Sequence, residues 1–278
     1  MVFRIFKNSD IIQESHLLDV EKSFKSERMR KTLCNTLDLA KVDLPVILIG
    51  EIGSGKKRMA QIIHENSSRA SHPFYSFYCL DLTNEEYEEA FREQLHIHDD
   101  HFILKYNIIE KASRGILYMD QFSELSVDLM LIIVRSIKKG SEQLFRYSEE
   151  AKPRLILSVN METYTNLRNM PNWRTILHLL EPQTIMIPPL RERKEDIPLL
   201  INFYIEKVKS KFKKYRELSI SDTALDACLS YSWPGNILQL NNALLQGAVL
   251  SHGKTIERHH FPFSMSWELP YDFGTNDC

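Results

Sequence analysis

Residues 44–57 read LPVILIGEIGSGKK, an apolar run too short for a helix that ends in a glycine-rich turn and two lysines. Such a run predicts a strand buried on both faces of a sheet. Gly50, Gly53 and Gly55 let the backbone turn tightly and aim its N–H groups at an anion. A helix beginning near Lys56 adds the positive end of its dipole, and the Lys56 ammonium reaches terminal phosphates. A G-x-x-x-x-G-K pattern between a strand and a helix is therefore read as a phosphate cradle formed by Gly50, Glu51, Gly53, Ser54, Gly55, Lys56 and Lys57. The plainer alternative is a glycine-rich turn with a chance lysine, and the strand and helix around it weigh against that. Lys57 stands where many such loops place a Ser or Thr to hold magnesium.

The strand signature recurs in PFYSFYCL, ILYMD and RLILSVN, with helical patterns between. This alternation predicts an α/β fold, a parallel sheet sandwiched by helices. SERMRKTLCNTLDLA has helical spacing ahead of the first strand. After Leu190 the pattern changes: Leu200, Tyr204, Val208 and Phe212 fall four apart on an amphipathic helix. Ser221 can cap a second helix, SDTALDACLSY, and the Pro-Gly turn at 234–235 leads into a third, ILQLNNALLQGAVL. The expected layout is a lead-in at 1–25, an α/β nucleotide-binding core at 26–190, a small helical lid at 191–262 and an irregular tail at 263–278. No regular structure is expected from residue 253 onward.

ILYMDQF at 116–122 reads as a buried strand ending on an acid. Asp120 there can steer a Mg2+ ion that accompanies a nucleoside triphosphate. A second acid usually follows to polarise the attacking water, and Gln121 takes that place. An amide hydrogen-bonds water but cannot accept its proton.

Taken together, the motifs resemble the central AAA+ domain of sigma-54-dependent transcription activators (bacterial enhancer-binding proteins), from about Ser26 to Pro262. GEIGSGKK resembles that family's G-E-S-G-T-G-K-E, whose residue after the lysine is also not Ser or Thr. ASRGILYMDQFSEL resembles A-x-G-G-T-L-F-L-D-E-I-G-E-L, and IIHENSSRASHPFYSFYC resembles I-H-x-x-S-x-R-x-x-x-P-F-x-x-x-N-C. IPPLRERKEDIPLL nearly repeats the family pattern, and YSWPGNILQL resembles Y-x-W-P-G-N-x-R-E-L. The resemblance implies ATP bound between an α/β core and a helical lid, and assembly into a homo- or hetero-oligomeric ring. It also implies a partner in transcription: a sigma factor of RNA polymerase or an active relative.

The departures fall on hydrolysis. The family's catalytic acid is Gln121, its switch asparagine is Tyr78, and its lid arginine is Leu238. Of a pair of arginines that a neighbouring subunit supplies, Arg174 remains and the second falls on Leu179 or Leu180. Asn160 survives at the sensor position. Removing one such arginine typically costs about 10³-fold or more in turnover. Glu124 is a possible substitute acid, expected to point elsewhere. The resemblance thus implies a chain that holds ATP and hydrolyses it slowly or not at all; the alternatives are an active ATPase that remodels a transcription partner and an interaction scaffold that binds no nucleotide.

The insert between Cys79 and Asp120 keeps the family's length, but its tip reads HIHDDHF in place of G-A-F-T-G-A, which argues against activation through sigma-54. His96, His98, Asp99, Asp100 and His101 could suggest a metal site; a solvated polar tip is the simpler expectation. Lys207, Lys209, Lys211, Lys213 and Lys214 suit a helix C-terminus more simply than nucleic acid. About 25 residues precede the resemblance and about 16 follow, too few for a receiver or a helix-turn-helix. DNA recognition, if any, is therefore expected to come from a partner or a nonstandard surface. A net charge of −2 does not suit a nucleic-acid coat. No apolar run approaches the roughly 20 residues of a membrane span, and the four scattered cysteines lack a C-x-x-C spacing. A reducing cytoplasm is the default compartment.

Overall fold

The computed structural model describes residues 24–82, 111–144 and 151–262. Ser26 opens the first helix, α1 (Glu27–Ala40), its hydroxyl accepting from the Met29 N–H at 3.4 Å. Strand β1 (Val46–Ile49) follows and leads through the glycine loop into α2 (Lys56–Glu65). Next come β2 (Phe74–Tyr78), β3 (Ile116–Asp120), α3 (Val127–Leu144) and β4 (Arg154–Val159). Two short helices, α4 (Met161–Leu167) and α5 (Pro171–Leu180), precede β5 (Gln183–Met186).

These strands form one parallel sheet in the order β2-β3-β4-β1-β5. Side chains alternate between its faces, as a period of two requires. Val46, Leu48, Ile116, Tyr118, Ile156 and Ile185 join the apolar cluster under α1 and α2. Ile47, Ile49, Leu117, Met119, Leu155 and Leu157 join the opposite one under α3 and α5, with Trp173 fully buried. Both faces are covered, so β1, β3 and β4 read as continuous apolar runs.

The N-terminal ends of the strands are tied by buried arginines. Arg69 donates to both Asp43 carboxylate oxygens (2.7 and 2.5 Å) and to the carbonyls of Arg114 and Lys152. Its guanidinium holds the Asp43 carboxyl below the usual range. Gly115 is required here by close approach, since a Cβ would lie 1.8 Å from the Pro73 carbonyl oxygen.

Beyond β5 the chain becomes helical: α6 (Ile197–Lys211), α7 (Asp222–Ser230) and α8 (Asn236–Leu250). Ser221 caps α7 by accepting from the Ala224 N–H at 3.3 Å. Leu200 and Val208 are buried, Tyr204 is half-buried, and Phe212 lies just past the end of α6. Their apolar residues belong to the same cluster as the α1–α2 face of the sheet, which runs on through Ile201, Leu240 and Ile256.

Two features differ from the sequence expectation. Strand β5 carried no continuous apolar run because it is an edge strand with only Ile185 buried among its four residues. The stretch after 253 is not wholly irregular. Its Thr255–Ile256 (β7) pairs in parallel with Ser219–Ile220 (β6), and Arg258–His260 forms a 3-10 turn. A two-residue strand is too short for periodicity to reveal. The HIHDDHF tip and the segment leading to it lie outside the described residues.

Candidate functional site

Gly50 directly follows β1, Asp120 ends β3 and Asn160 directly follows β4, so the sheet brings them to the carboxyl ends of adjacent strands. A parallel α/β sheet places its ligand crevice there. The Gly50 N–H donates to the Val159 carbonyl at 3.2 Å, which fixes where the loop leaves the sheet. Gly53 (φ 73°) and Gly55 (φ 105°) take left-handed backbone that side chains resist. Gly55 is the N-cap of α2 and supplies no side-chain cap. The first N–H groups of that helix are thus left to bind an anion.

Lys56 is half-buried, and its ammonium donates to the carbonyls of Gly50 (2.7 Å) and Glu51 (2.9 Å). Burial pushes it down to about 8, against the carboxylates of Asp120, Glu124 and Glu51, which favour the charge. Lys57 is half-buried in the first turn of α2. Ser54 is buried, and its Oγ has no hydrogen-bond partner in the structure. The Glu51 carboxylate faces the helical region. It receives Arg191 Nη1 at 2.8 Å, Arg191 Nη2 at 2.6 Å and Asn236 Nδ2 at 3.1 Å. Arg191 first, with Asn236 behind it, holds this carboxyl below its ordinary value.

Asp120 is held through one oxygen. Oδ1 accepts from the Tyr118 hydroxyl (2.8 Å), the Ser158 hydroxyl (3.0 Å) and the Gln121 N–H (3.1 Å), and no described hydrogen bond engages Oδ2. Burial, and then the charge of Asp120, push the Tyr118 phenol upward, so it serves as a fixed donor. Gln121 adopts left-handed backbone (φ 54°), and its Oε1 is buried without a partner. The donor set fits the expected ligands: uncapped N–H groups and an ammonium for phosphates, one open carboxylate oxygen for a hard cation.

The remaining candidates are less tightly gathered. Asn160 caps α4, its Oδ1 accepting from the Glu162 N–H at 3.4 Å while its own N–H donates to Ser123 Oγ at 2.8 Å. Tyr78 lies beside Asp120 in strand register and is 41% exposed. Leu238 is 53% exposed, and a Cβ on Gly53 would meet its Cβ at 2.9 Å. Arg174 is exposed on α5, with no described contact to the loop; Leu179 and Leu180 pack half-buried against the second apolar cluster. Glu124 is exposed, its carboxylate accepting from the Ser123 hydroxyl at 3.4 Å, and its charge favours the charged form of Lys56. Among the described residues no group of three His, Cys, Asp or Glu could hold a metal, and no helix could cross a membrane.

The Sigma-54 interaction domain family matches residues 23–170, more than half of the chain. The chain belongs to that family. The AAA+ ATPase lid domain family matches residues 191–272. Relatives of the Sigma-54 family chain include the transcriptional regulatory protein XylR of Pseudomonas putida, 30% identical over 266 residues, 88% of this chain and 47% of XylR. The Nif-specific regulatory protein of Klebsiella pneumoniae is 31% identical over 237 residues, 84% of this chain and 45% of that protein. The chain spans about half the length of these curated relatives. NtrX from Brucella abortus, solved in complex with ATP, superposes with a TM-score of 0.67 at 22% identity, covering 90% of this chain and 59% of NtrX. At that identity the likeness shows the fold: an AAA+ P-loop core with a helical lid.

Sequence reasoning did not single out Tyr118 and Ser158, which hold Asp120, or Arg191, Arg193 and Asn236, which hold the loop. All but Ser158's role lay in stretches already matched to family motifs. What the motifs lacked was the pairing of distant positions.

Proposed function

We propose that this chain is an ATP-binding member of the sigma-54 activator family that regulates transcription with slow or absent hydrolysis. It acts through nucleotide-dependent assembly with itself or with an active relative. The observation that carries this reading is Gln121 in the place of the water-polarising acid beside an intact phosphate loop. A related structure supports nucleotide as the ligand: Brucella abortus NtrX was solved with ATP and with ADP.

In this reading the N–H groups of the loop and of the first turn of α2 cradle the phosphates. Lys56 exchanges its Gly50 and Glu51 carbonyls for phosphate oxygens. Asp120 offers Oδ2 toward Mg2+, which would neutralise phosphate charge when bound, while Tyr118 and Ser158 fix its other oxygen. Gln121 can orient a water but cannot take its proton. Leu238 adds no charge above Gly53, and Arg174 is exposed on α5, where a second subunit could use it.

A phosphate-release measurement on the pure protein tests this. Turnover near or above about 1 s⁻¹, ordinary for enzymes, would reject it. Light scattering after size exclusion, with and without magnesium–ATP, tests assembly. A second reading, an active ATPase that remodels a transcription partner, draws on the Glu124 carboxylate, whose charge is felt at Lys56. Glu124→Gln would then abolish phosphate release.

A further inference from the structure

Four consecutive residues of the phosphate loop are held from outside, all by the helical lid. The Glu51 carboxylate takes both terminal nitrogens of Arg191 and the Asn236 amide. The Ile52 carbonyl accepts from the same Asn236 Nδ2 at 3.0 Å. The Gly53 carbonyl accepts from the Ile237 N–H at 3.0 Å, and the Ser54 carbonyl from Arg193 Nη2 at 2.7 Å. The approach is close: a Cβ on Gly53 would lie 2.3 Å from the Gly235 carbonyl oxygen.

Inside the loop the hold is different. The Lys56 ammonium bonds the Gly50 and Glu51 carbonyls, and an incoming phosphate competes for it. Once those two bonds are surrendered, the outer bonds are what keep the loop's N–H groups converged. Asn236 is the joint of that outer hold. It is fully buried in left-handed backbone (φ 52°), and its Oδ1 accepts from the Leu190 N–H at 2.7 Å while its Nδ2 serves Glu51 and Ile52. Arg191 and Glu51 remain 43% and 26% exposed at the side chain, and such a pair contributes little to the fold itself. Its bidentate geometry instead fixes direction.

We propose that Arg191 and Asn236 are positioning residues for nucleotide. Through Glu51 and Ile52 they hold the phosphate loop in its binding shape and pass its occupancy to the lid. The proposal rests on the reading that this loop binds a nucleoside triphosphate. It has a reciprocal consequence: whatever strengthens nucleotide binding through these bonds also steadies the lid by the same amount.

The test is a fluorescent magnesium–ATP titration of the full chain beside Arg191→Gln, Glu51→Gln, the double variant and Asn236→Asp. Nucleotide-free melting and hydrogen exchange of lid amides are followed in parallel. Asn236→Asp keeps the acceptor toward Leu190 and removes both donors. The expected result is a roughly tenfold loss of affinity in each single variant, with the double no weaker than the worse single. Nucleotide-free melting of the Arg191 and Glu51 variants should stay within about 2 °C of the parent. ATP should slow lid exchange in the parent and not in Arg191→Gln. Single variants that bind like the parent, or losses that simply add, overturn the inference and leave the proposed function standing. A parent that binds no ATP overturns both. If Asn236→Asp does not fold, the Arg191 and Glu51 cycle decides alone.

Discussion

The loop after β1 and the cluster at the ends of β3 and β4 lie side by side, yet they are held in opposite ways. Residues 51–54 are gripped from a distant part of the chain, by Arg191, Arg193, Asn236 and Ile237. Around Asp120 the polar groups hold one another: Tyr118, Ser158 and the Gln121 N–H share one oxygen, and Asn160 caps its own helix. The first arrangement leaves donors free for an anion. The second leaves an unpartnered amide oxygen on Gln121, the residue that follows Asp120. What the difference teaches is that the proposed grip on phosphate and the proposed place of its hydrolysis rest on separate sets of contacts.

The largest expected effect tests the gripping side. Lys56→Ala removes the ammonium bonded to the Gly50 and Glu51 carbonyls, and calorimetry should show magnesium–ATP affinity falling on the order of 100-fold. The contrast between the regions breaks if that variant binds like the parent. Next comes Gln121→Glu, which restores a base at the splitting side. Phosphate release should rise on the order of 10-fold or more, within the range of general-base contributions, with affinity nearly unchanged. No rise would mean that Tyr78 and Leu238 matter as much as the lost acid.

The pH dependence of the two properties should run in opposite directions. Burial lowers Lys56 to about 8 from 10.5. As pH climbs past 8 the folded, nucleotide-free protein gives up this proton before the unfolded chain does. The unfolded state then binds more protons, so this group's contribution to stability rises between about 8 and 10.5. Phosphate affinity needs the charged ammonium, so titrations at pH 9 should bind up to about tenfold more weakly than at pH 7. Affinity that is flat across this range would place the ammonium outside the phosphate site. The smallest effect is expected from Tyr118→Phe. Loss of one of three donors to Asp120 Oδ1 should lower stability by about 1 kcal/mol in denaturant unfolding and leave ATP affinity within about threefold. A larger loss of affinity would tie the two regions more closely than their contacts suggest.

Much of this was written in short-range patterns. β1, β3 and β4 are buried on both faces, so their residues form continuous apolar runs, and Ser26 and Ser221 announce the helices they cap. The glycine loop is legible for the same reason, since its requirements are local. β5 was not legible because three of its four residues face outward. The lid's hold on the loop was not legible because it is long-range: Asn236 and Glu51 stand 185 positions apart. The left-handed turns at Gln121 and Asn236 were equally hidden, since neither residue type demands that conformation.

The apolar cluster that crosses from Val46 and Ile62 through Ile201 to Leu240 and Ile256 sets a limit on movement. Swinging the three C-terminal helices away as a jaw would wet that apolar seam. On the proposed reading, nucleotide exchange would be passed on as a slight shear along a greased joint, and a neighbouring molecule that sensed it would touch the surface close to that seam.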